Sequence, residues 1–200
     1  MKAFGLTGNI GCGKSTVATL LSKYPDVMII DCDQIAKEII SSGFHKEEIN
    51  SILGANIFAS GNADFKVIAN IIFGDPKKKK LLEELLHPFV WDVIEKKVRV
   101  IGNQKICIVE SAIIYETRSE DKFTVVIVAT CNPEEQLRRI RENRTMNNVQ
   151  IQARIAQQFP SSYKEARTQF VIHTDCSLDQ LKERVKDLHH KLKQKRGGEV

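Results

Sequence analysis

Gly8-Asn9-Ile10-Gly11-Cys12-Gly13-Lys14-Ser15 fits the spacing Gly-x-x-x-x-Gly-Lys-Ser of a phosphate-binding loop, and its flanks agree with that reading. Ala3-Phe4-Gly5-Leu6 upstream has the apolar character of a short buried strand, and Thr16-Val17-Ala18-Thr19-Leu20-Leu21 downstream carries apolar residues at helical spacing. A loop between a strand and a helix can turn successive N–H groups inward. The helix start adds partial positive charge, so phosphate oxygens are held by backbone alone. Lys14 then reaches the β- and γ-phosphates, and Ser15 offers its hydroxyl to Mg²⁺. A flexible glycine turn before an ordinary helix is the competing explanation, but it does not account for the order of all eight positions.

The 200 residues suit one compact domain with smaller inserted parts, and a hydrophobic fraction of 42% is enough for a true core. A net charge of +5 is too mild to select a nucleic acid or a membrane surface, and neither partner is expected. Cys12, Cys32, Cys107, Cys131 and Cys176 form no Cys-x-x-Cys pair, which suits a reducing, cytoplasmic setting. Gly5, Thr7 and Gly8 interrupt the N-terminus before a signal-peptide apolar region can develop, and no apolar run reaches membrane-spanning length.

Val27-Met28-Ile29-Ile30 predicts a second strand buried on both faces, ending in Asp31-Cys32-Asp33. Ligands of open parallel sheets gather at the strands' carboxyl ends, so these acids belong on the rim that carries the phosphate loop. Asp33 also stands where a helix cap is favoured. Residues 44–104 read as helical throughout. His87-Pro88 is expected to end one helix and begin another, and the lysine run 77–80 reads as a solvated face. Ile106-Cys107-Ile108-Val109 predicts a third strand with Glu110 at its end, and residues 124–129 a fourth. Asn132-Pro133-Glu134-Glu135 then starts a helix with a cap, a first-turn proline and two acids. Arg138, Arg139, Arg141 and Arg144 crowd that region, as expected of a lid that clamps phosphate. A helix is expected over 148–158, a fifth strand over 170–172, and a long amphipathic helix through Leu178, Leu181, Val185, Leu188 and Leu192.

Taken together, these segments resemble the dephospho-coenzyme A kinase family along nearly the full chain. The resemblance is carried by Gly5 through Ala18, by Ile30-Asp31-Cys32-Asp33, by Leu85-Leu86-His87-Pro88, by Glu110 through Glu116 and by Gln136-Leu137-Arg138-Arg139. Asn9 and Cys12 depart from the family's glycine and serine, Asn143 from its second lid arginine, Phe65 from an Asp-Arg pair, and Gln169 and Thr174 from a late Ala-Asp-x-Val-Ile-x-Asn segment. The resemblance implies an α/β fold, a P-loop kinase three-layer sandwich with a five-stranded parallel sheet. Residues 1–43, 105–133 and 166–200 would form its nucleotide-binding core, 44–104 a helical acceptor-binding insertion and 134–165 a lid. It implies transfer of the ATP γ-phosphoryl group to the ribose 3′-hydroxyl of dephospho-CoA, with Mg²⁺, in a monomer or weak homo-oligomer.

On that reading Asp33, Lys14 and Arg139 are catalytic. Gly8, Asn9, Ile10, Gly11, Cys12, Gly13, Lys14, Ser15 and Thr16 hold ATP, together with Arg139 and Arg144. Thr7, Asp31, Asp33, His87 and Glu110 face the acceptor, and Ser15 takes the metal. Another small-molecule P-loop kinase remains a competing reading, because fold and loop alone do not fix the acceptor. A nucleotide-dependent switch is a third, weakened by the missing Asn-Lys-x-Asp segment and by arginines already supplied in the chain itself.

Overall fold

Short apolar runs become strands where both of their faces can be buried. A computed structural model describes residues 2–143, 151–152 and 155–197, and in it five apolar runs form one sheet; the run 27–30, at an edge, leaves Met28 36% exposed and so is not buried on both faces as expected. The strands are β1 (Phe4–Thr7), β2 (Val27–Asp31), β3 (Ile106–Glu110), β4 (Val125–Thr130) and β5 (Phe170–His173), in the order β2-β3-β1-β4-β5. Every pairing is parallel. Each strand runs one residue beyond its apolar segment at the carboxyl end, because ladder bonds are made by backbone and continue through polar Thr7, Asp31, Glu110, Thr130 and His173. These residues define the functional rim. Leu6 is in register with Glu110, which is itself in register with Asp31.

Side chains alternate across β1. Phe4 and Leu6 enter a core shared with Val17 and Leu21 of α1 (Lys14–Leu21) and with Leu181, Val185, Leu188 and Leu192 of the C-terminal helix Leu178–Gly197. The three-four spacing of that last helix is thus realised as packing, with Leu178 left 56% exposed at its start. On the opposite side of β1, a Cβ on Gly5 would stand 2.8 Å from Ile114 and 3.0 Å from Phe123, so the residues after β3 close tightly over the strand there.

The chain divides into two compact units, residues 1–31 with 98–200, and residues 32–97. The second contains α2 (Cys32–Ser41), α3 (Lys46–Leu53), α4 (Phe65–Gly74) and most of α5 (Pro76–Ile101). Ile40, Ile49, Leu53, Ile57, Phe58, Ile68, Leu82 and Leu86 form its core. Asp64 caps α4 by accepting from Lys66 N at 3.0 Å and Val67 N at 3.1 Å. Within the lysine run, Lys79 and Lys80 pair with Glu83 and Glu84 one turn on, while Lys78 Nζ donates to the Leu53 carbonyl at 2.7 Å and satisfies the end of α3. Of the helix expected over 148–158, residues 148–150 and 153–154 lie outside the described residues, whereas 151–152 and 155–156 are helical and 157–158 are not.

His87-Pro88 does not end a helix. The 26 residues of α5 continue through Pro88. Leu82, Leu86, Val90, Ile94 and Val98 recur every fourth residue and are all buried. Burying such a stripe contributes roughly 1.5–3 kcal/mol per large side chain, more than the ~3 kcal/mol that one interior proline costs the whole helix. His87 is therefore a half-buried residue in mid-helix, not a side chain freed at a break. Because Pro88 is exposed, Pro88→Ala should regain helix stability without losing packing. The gain of ~3 kcal/mol is opposed by ~0.4–1 kcal/mol from the looser unfolded chain, leaving a net rise of about 2–2.6 kcal/mol. Denaturant melts read this directly, and an unchanged or lowered midpoint would contradict it.

Candidate active site

The loop leaves β1 at Thr7 and turns back through Gly11 (φ 79°) and Gly13 (φ 77°), a backbone region where glycine carries no side-chain penalty. Cys12 N donates to Asn9 O at 3.0 Å and closes the turn, and Gly13 caps α1. Lys14 is the first residue of that helix. Its ammonium pairs with the Glu110 carboxylate, whose Oε1 also accepts from Ser15 Oγ at 3.1 Å. Both side chains of the pair are largely shielded, with 15% and 9% of their surfaces exposed. Glu110 thus touches the loop's lysine and serine directly.

The helix α6 (Pro133–Asn143) begins as its sequence signals, with Asn132 Oδ1 accepting from Glu135 N at 2.8 Å. Its arginines then divide. Arg138 is exposed and bridges Glu135 and Glu142 on the solvated face. Arg139 turns inward: Nε donates to Glu135 at 2.6 Å, Nη1 to Thr174 Oγ1 at 2.8 Å and Nη2 to Thr174 O at 2.6 Å. Thr174 is 1% exposed and donates its hydroxyl to Cys12 O at 3.0 Å, so one buried threonine joins the arginine to the phosphate loop. Arg141 is exposed, and Arg144 lies outside the described residues. The resulting site offers a backbone nest, an ammonium, an inward guanidinium and a hydroxyl beside a carboxylate, a set of groups suited to a polyphosphate.

The family model and the curated relatives agree on one family. Its sequence model, described as dephospho-CoA kinase, matches residues 2–180. The chain belongs to the dephospho-CoA kinase family. The dephospho-CoA kinase of Bdellovibrio bacteriovorus is 34% identical over 179 residues, covering 88% of each chain. That of Aquifex aeolicus is 30% identical over 194 residues, covering 96% of this chain and 98% of the relative. Among solved structures, a protein from Thermus thermophilus shares 26% identity at a TM-score of 0.79, covering 96% of this chain and 97% of that one. The dephospho-CoA kinase of Campylobacter jejuni, at 23% identity and a TM-score of 0.66 over 96% and 97% of the two chains, has the same fold. The chain is a kinase of this family, built on the five-stranded parallel α/β sheet expected of it.

The remaining expected dephospho-CoA kinase residues fall in different places. Thr7 is fully buried at the end of β1, and its Oγ1 has no hydrogen-bond partner among the described residues. Asp31 ends β2 beside Glu110. Asp33 lies inside the first turn of α2, which starts one residue earlier at Cys32, so it does not occupy the capping position before the helix. Asp33 and His87 belong to the second unit. Cys12 and Cys131 are neighbours, with sulfurs 3.4 Å apart. The thiol of Cys131 donates to Cys12, which lowers the Cys12 pKa and raises that of Cys131.

Sequence reasoning did not find Thr174 as an arginine anchor, nor Gln158, whose Oε1 accepts from Ile10 N at 2.9 Å. It also missed the wholly buried Lys164, paired with Glu116 at 2.8 Å. The one signal available was a family match at Gln136, whose Nε2 donates to Ile10 O at 2.8 Å.

Glu135 serves both arginines, and its bonds to Arg138 and then Arg139 hold its carboxyl down at about 2. A depressed carboxylate stabilises the fold above its ordinary pKa, and that contribution is lost as pH falls through the folded value. The stability difference between the wild type and Glu135→Gln should therefore be constant at neutral pH, shrink below about pH 4.5 and vanish near pH 2. Thermal melts of both proteins across that range test it, and a difference independent of pH would refute the assignment.

Proposed function

We propose that the chain transfers the γ-phosphoryl group of ATP to the ribose 3′-hydroxyl of dephospho-CoA, giving CoA and ADP, the last step of CoA synthesis. The observation that carries this reading is the phosphate loop with Lys14 and Ser15 gathered on Glu110, in a chain of the dephospho-CoA kinase family. Phosphoryl transfer leaves little covalent work for protein groups. They align the acceptor, offset charge on the moving phosphoryl group and keep water out.

Backbone N–H groups from Gly8 to Thr16 would cradle the phosphates. Lys14 would exchange Glu110 for the β- and γ-oxygens, which provide the counter-charge that its shielded position requires. Arg139, anchored by Thr174 and Glu135, would set a planar cation over the transferring group, with Arg144 as a second contact. Asp33 would accept the proton of the attacking hydroxyl. His87, Asp31 and Thr7 would belong to the acceptor side, with the helical residues 44–104 as acceptor-binding insertion and 134–165 as lid. In this role set Glu110 first holds Lys14, then orients Ser15.

Ser15 Oγ and Glu110 present hard oxygens side by side, the donor chemistry that Mg²⁺ selects. Among the described residues there is no group of three or more His, Cys, Asp or Glu able to cage a metal. That suits Mg²⁺, which keeps waters and substrate phosphates as most of its ligands. Ser15 would be its protein ligand, with Glu110 behind it. Once bound, the ion neutralises charge shared by the β- and γ-phosphates.

No helix among the described residues is long and apolar enough to cross a membrane. We further propose a cytoplasmic enzyme that acts on small molecules as a monomer or weak homo-oligomer.

The decisive assay offers ATP–Mg²⁺ with a panel of acceptors and reads ADP. Release dependent on dephospho-CoA supports the proposal, whereas release with a nucleoside or sugar instead would redirect it to another kinase specificity. Asp33→Asn should lower kcat by roughly 10²- to 10⁴-fold with ATP affinity kept, the range of a general base; a loss under about threefold removes Asp33 from that role.

A further inference from the structure

Both peptide groups of Ile10, inside the phosphate loop, are held by glutamine side chains from distant parts of the chain. Gln136 Nε2 in the first turns of α6 donates to its carbonyl at 2.8 Å, and Gln158 Oε1 accepts from its N–H at 2.9 Å. The amide orientations follow from the partners, since a carbonyl needs a donor and an N–H needs an acceptor.

Each glutamine is itself secured. Gln158 Nε2 donates to Ala112 O at 3.3 Å. Next to it, Phe159 O accepts from Asn9 Nδ2 at 3.1 Å and Phe159 N donates to Glu116 at 2.8 Å. The wholly buried Lys164 pairs with the same Glu116 oxygen. Such a buried pair is costly to build and strongly destabilising to break, so it fixes residues 158 and 159 firmly. On the other side, Ile140 packs where a Cβ of Gly11 would stand, one turn beyond Gln136 and next to Arg139.

A phosphate nest needs its N–H groups turned inward, so the loop's tip has to be gripped from outside the nest. We propose that Gln136 and Gln158 are positioning residues of the kinase. They grip Ile10 from two sides, set the loop for the nucleotide and fix the placement of Arg139 relative to it. The inference rests on the reading that residues 8–15 bind the ATP phosphates.

Steady-state kinetics of the full chain, varying ATP and dephospho-CoA separately, test it. Gln136→Leu and Gln158→Leu should each raise the KM for ATP by about 3- to 10-fold, the effect of losing one such hydrogen bond, with the KM for dephospho-CoA changed by less than about twofold. Because both grip one residue, the double variant should fall short of the product of the single effects.

The glutamate variants separate positioning from general folding support. Gln158→Glu keeps an acceptor for Ile10 N–H while losing the longer bond to Ala112 O, so its KM for ATP should rise less than that of Gln158→Leu. Gln136→Glu loses the donor and turns an anion on the Ile10 carbonyl, so it should be at least as impaired as Gln136→Leu. Equal effects of the two glutamates, or leucine variants with lower melting temperatures and unchanged KM for ATP, overturn the inference. If a leucine variant does not fold, the glutamate comparison alone decides. Wild type that releases ADP with dephospho-CoA, beside variants without this pattern, sinks the inference alone. Wild type that fails to bind ATP sinks the underlying reading.

Discussion

An ammonium and a carboxylate shielded at the rim of a parallel sheet cannot stand apart, and the pairing of Lys14 with Glu110 is the constraint around which this fold's functional end is arranged. It requires β3 beside β1, and the strand order supplies that neighbour although about a hundred residues separate the two in sequence. It requires Glu110 to be the last residue of its strand, level with Leu6, so that a loop leaving β1 can curl back above it. It also requires the glycine turns at Gly11 and Gly13, since without the reversal the first residue of α1 would point away from the sheet. Lys14 thus has an internal counter-ion, which polyphosphate oxygens would replace on the proposed function, and Ser15 shares the same oxygen.

The division of the arginines on α6 follows from helical geometry. Neighbouring positions differ by about 100° around a helix, so Arg138 and Arg139 cannot serve the same surface. Glu135, three residues before one and four before the other, reaches both and holds them in fixed relation. Only Arg139 also finds Thr174, and through it Cys12. The exposed pairs of Arg138 contribute little by themselves, because surface ion pairs are screened. Their effect is to keep Glu135 ionised and in place, which orients the inward guanidinium.

Much of this was legible in the sequence because it leaves a local or periodic trace. The loop spacing, five apolar runs, the Asn132 cap and the three-four stripe of the last helix are such traces, and all five runs became strands of one parallel sheet. The break expected at His87-Pro88 failed because a proline's local effect was read without the apolar stripe that continues past it. Asp33, for which capping was the competing reading, lies within the first turn because α2 follows β2 with no intervening loop. Thr174, Gln158 and Lys164 left no trace at all. Each acts through a few bonds to groups 35 or more residues away in sequence, and such contacts impose no pattern on neighbouring positions.

The same long-range contacts give the loop's glycines a second reason to be glycine. Positive φ explains Gly11 and Gly13 from inside the loop. From outside, a Cβ on Gly11 would stand 2.7 Å from Ile140 Cγ1 and 2.9 Å from Gln136 O, and one on Gly13 would stand 3.0 Å from Thr174 Oγ1. Side chains at these positions would therefore push α6 and the end of β5 away from the loop, and with them the two groups that hold Arg139. In this chain the loop proposed to receive the phosphates also serves as the surface against which Arg139 is set. The spacing of Gly-x-x-x-x-Gly-Lys-Ser accordingly constrains the placement of a cation more than a hundred residues away.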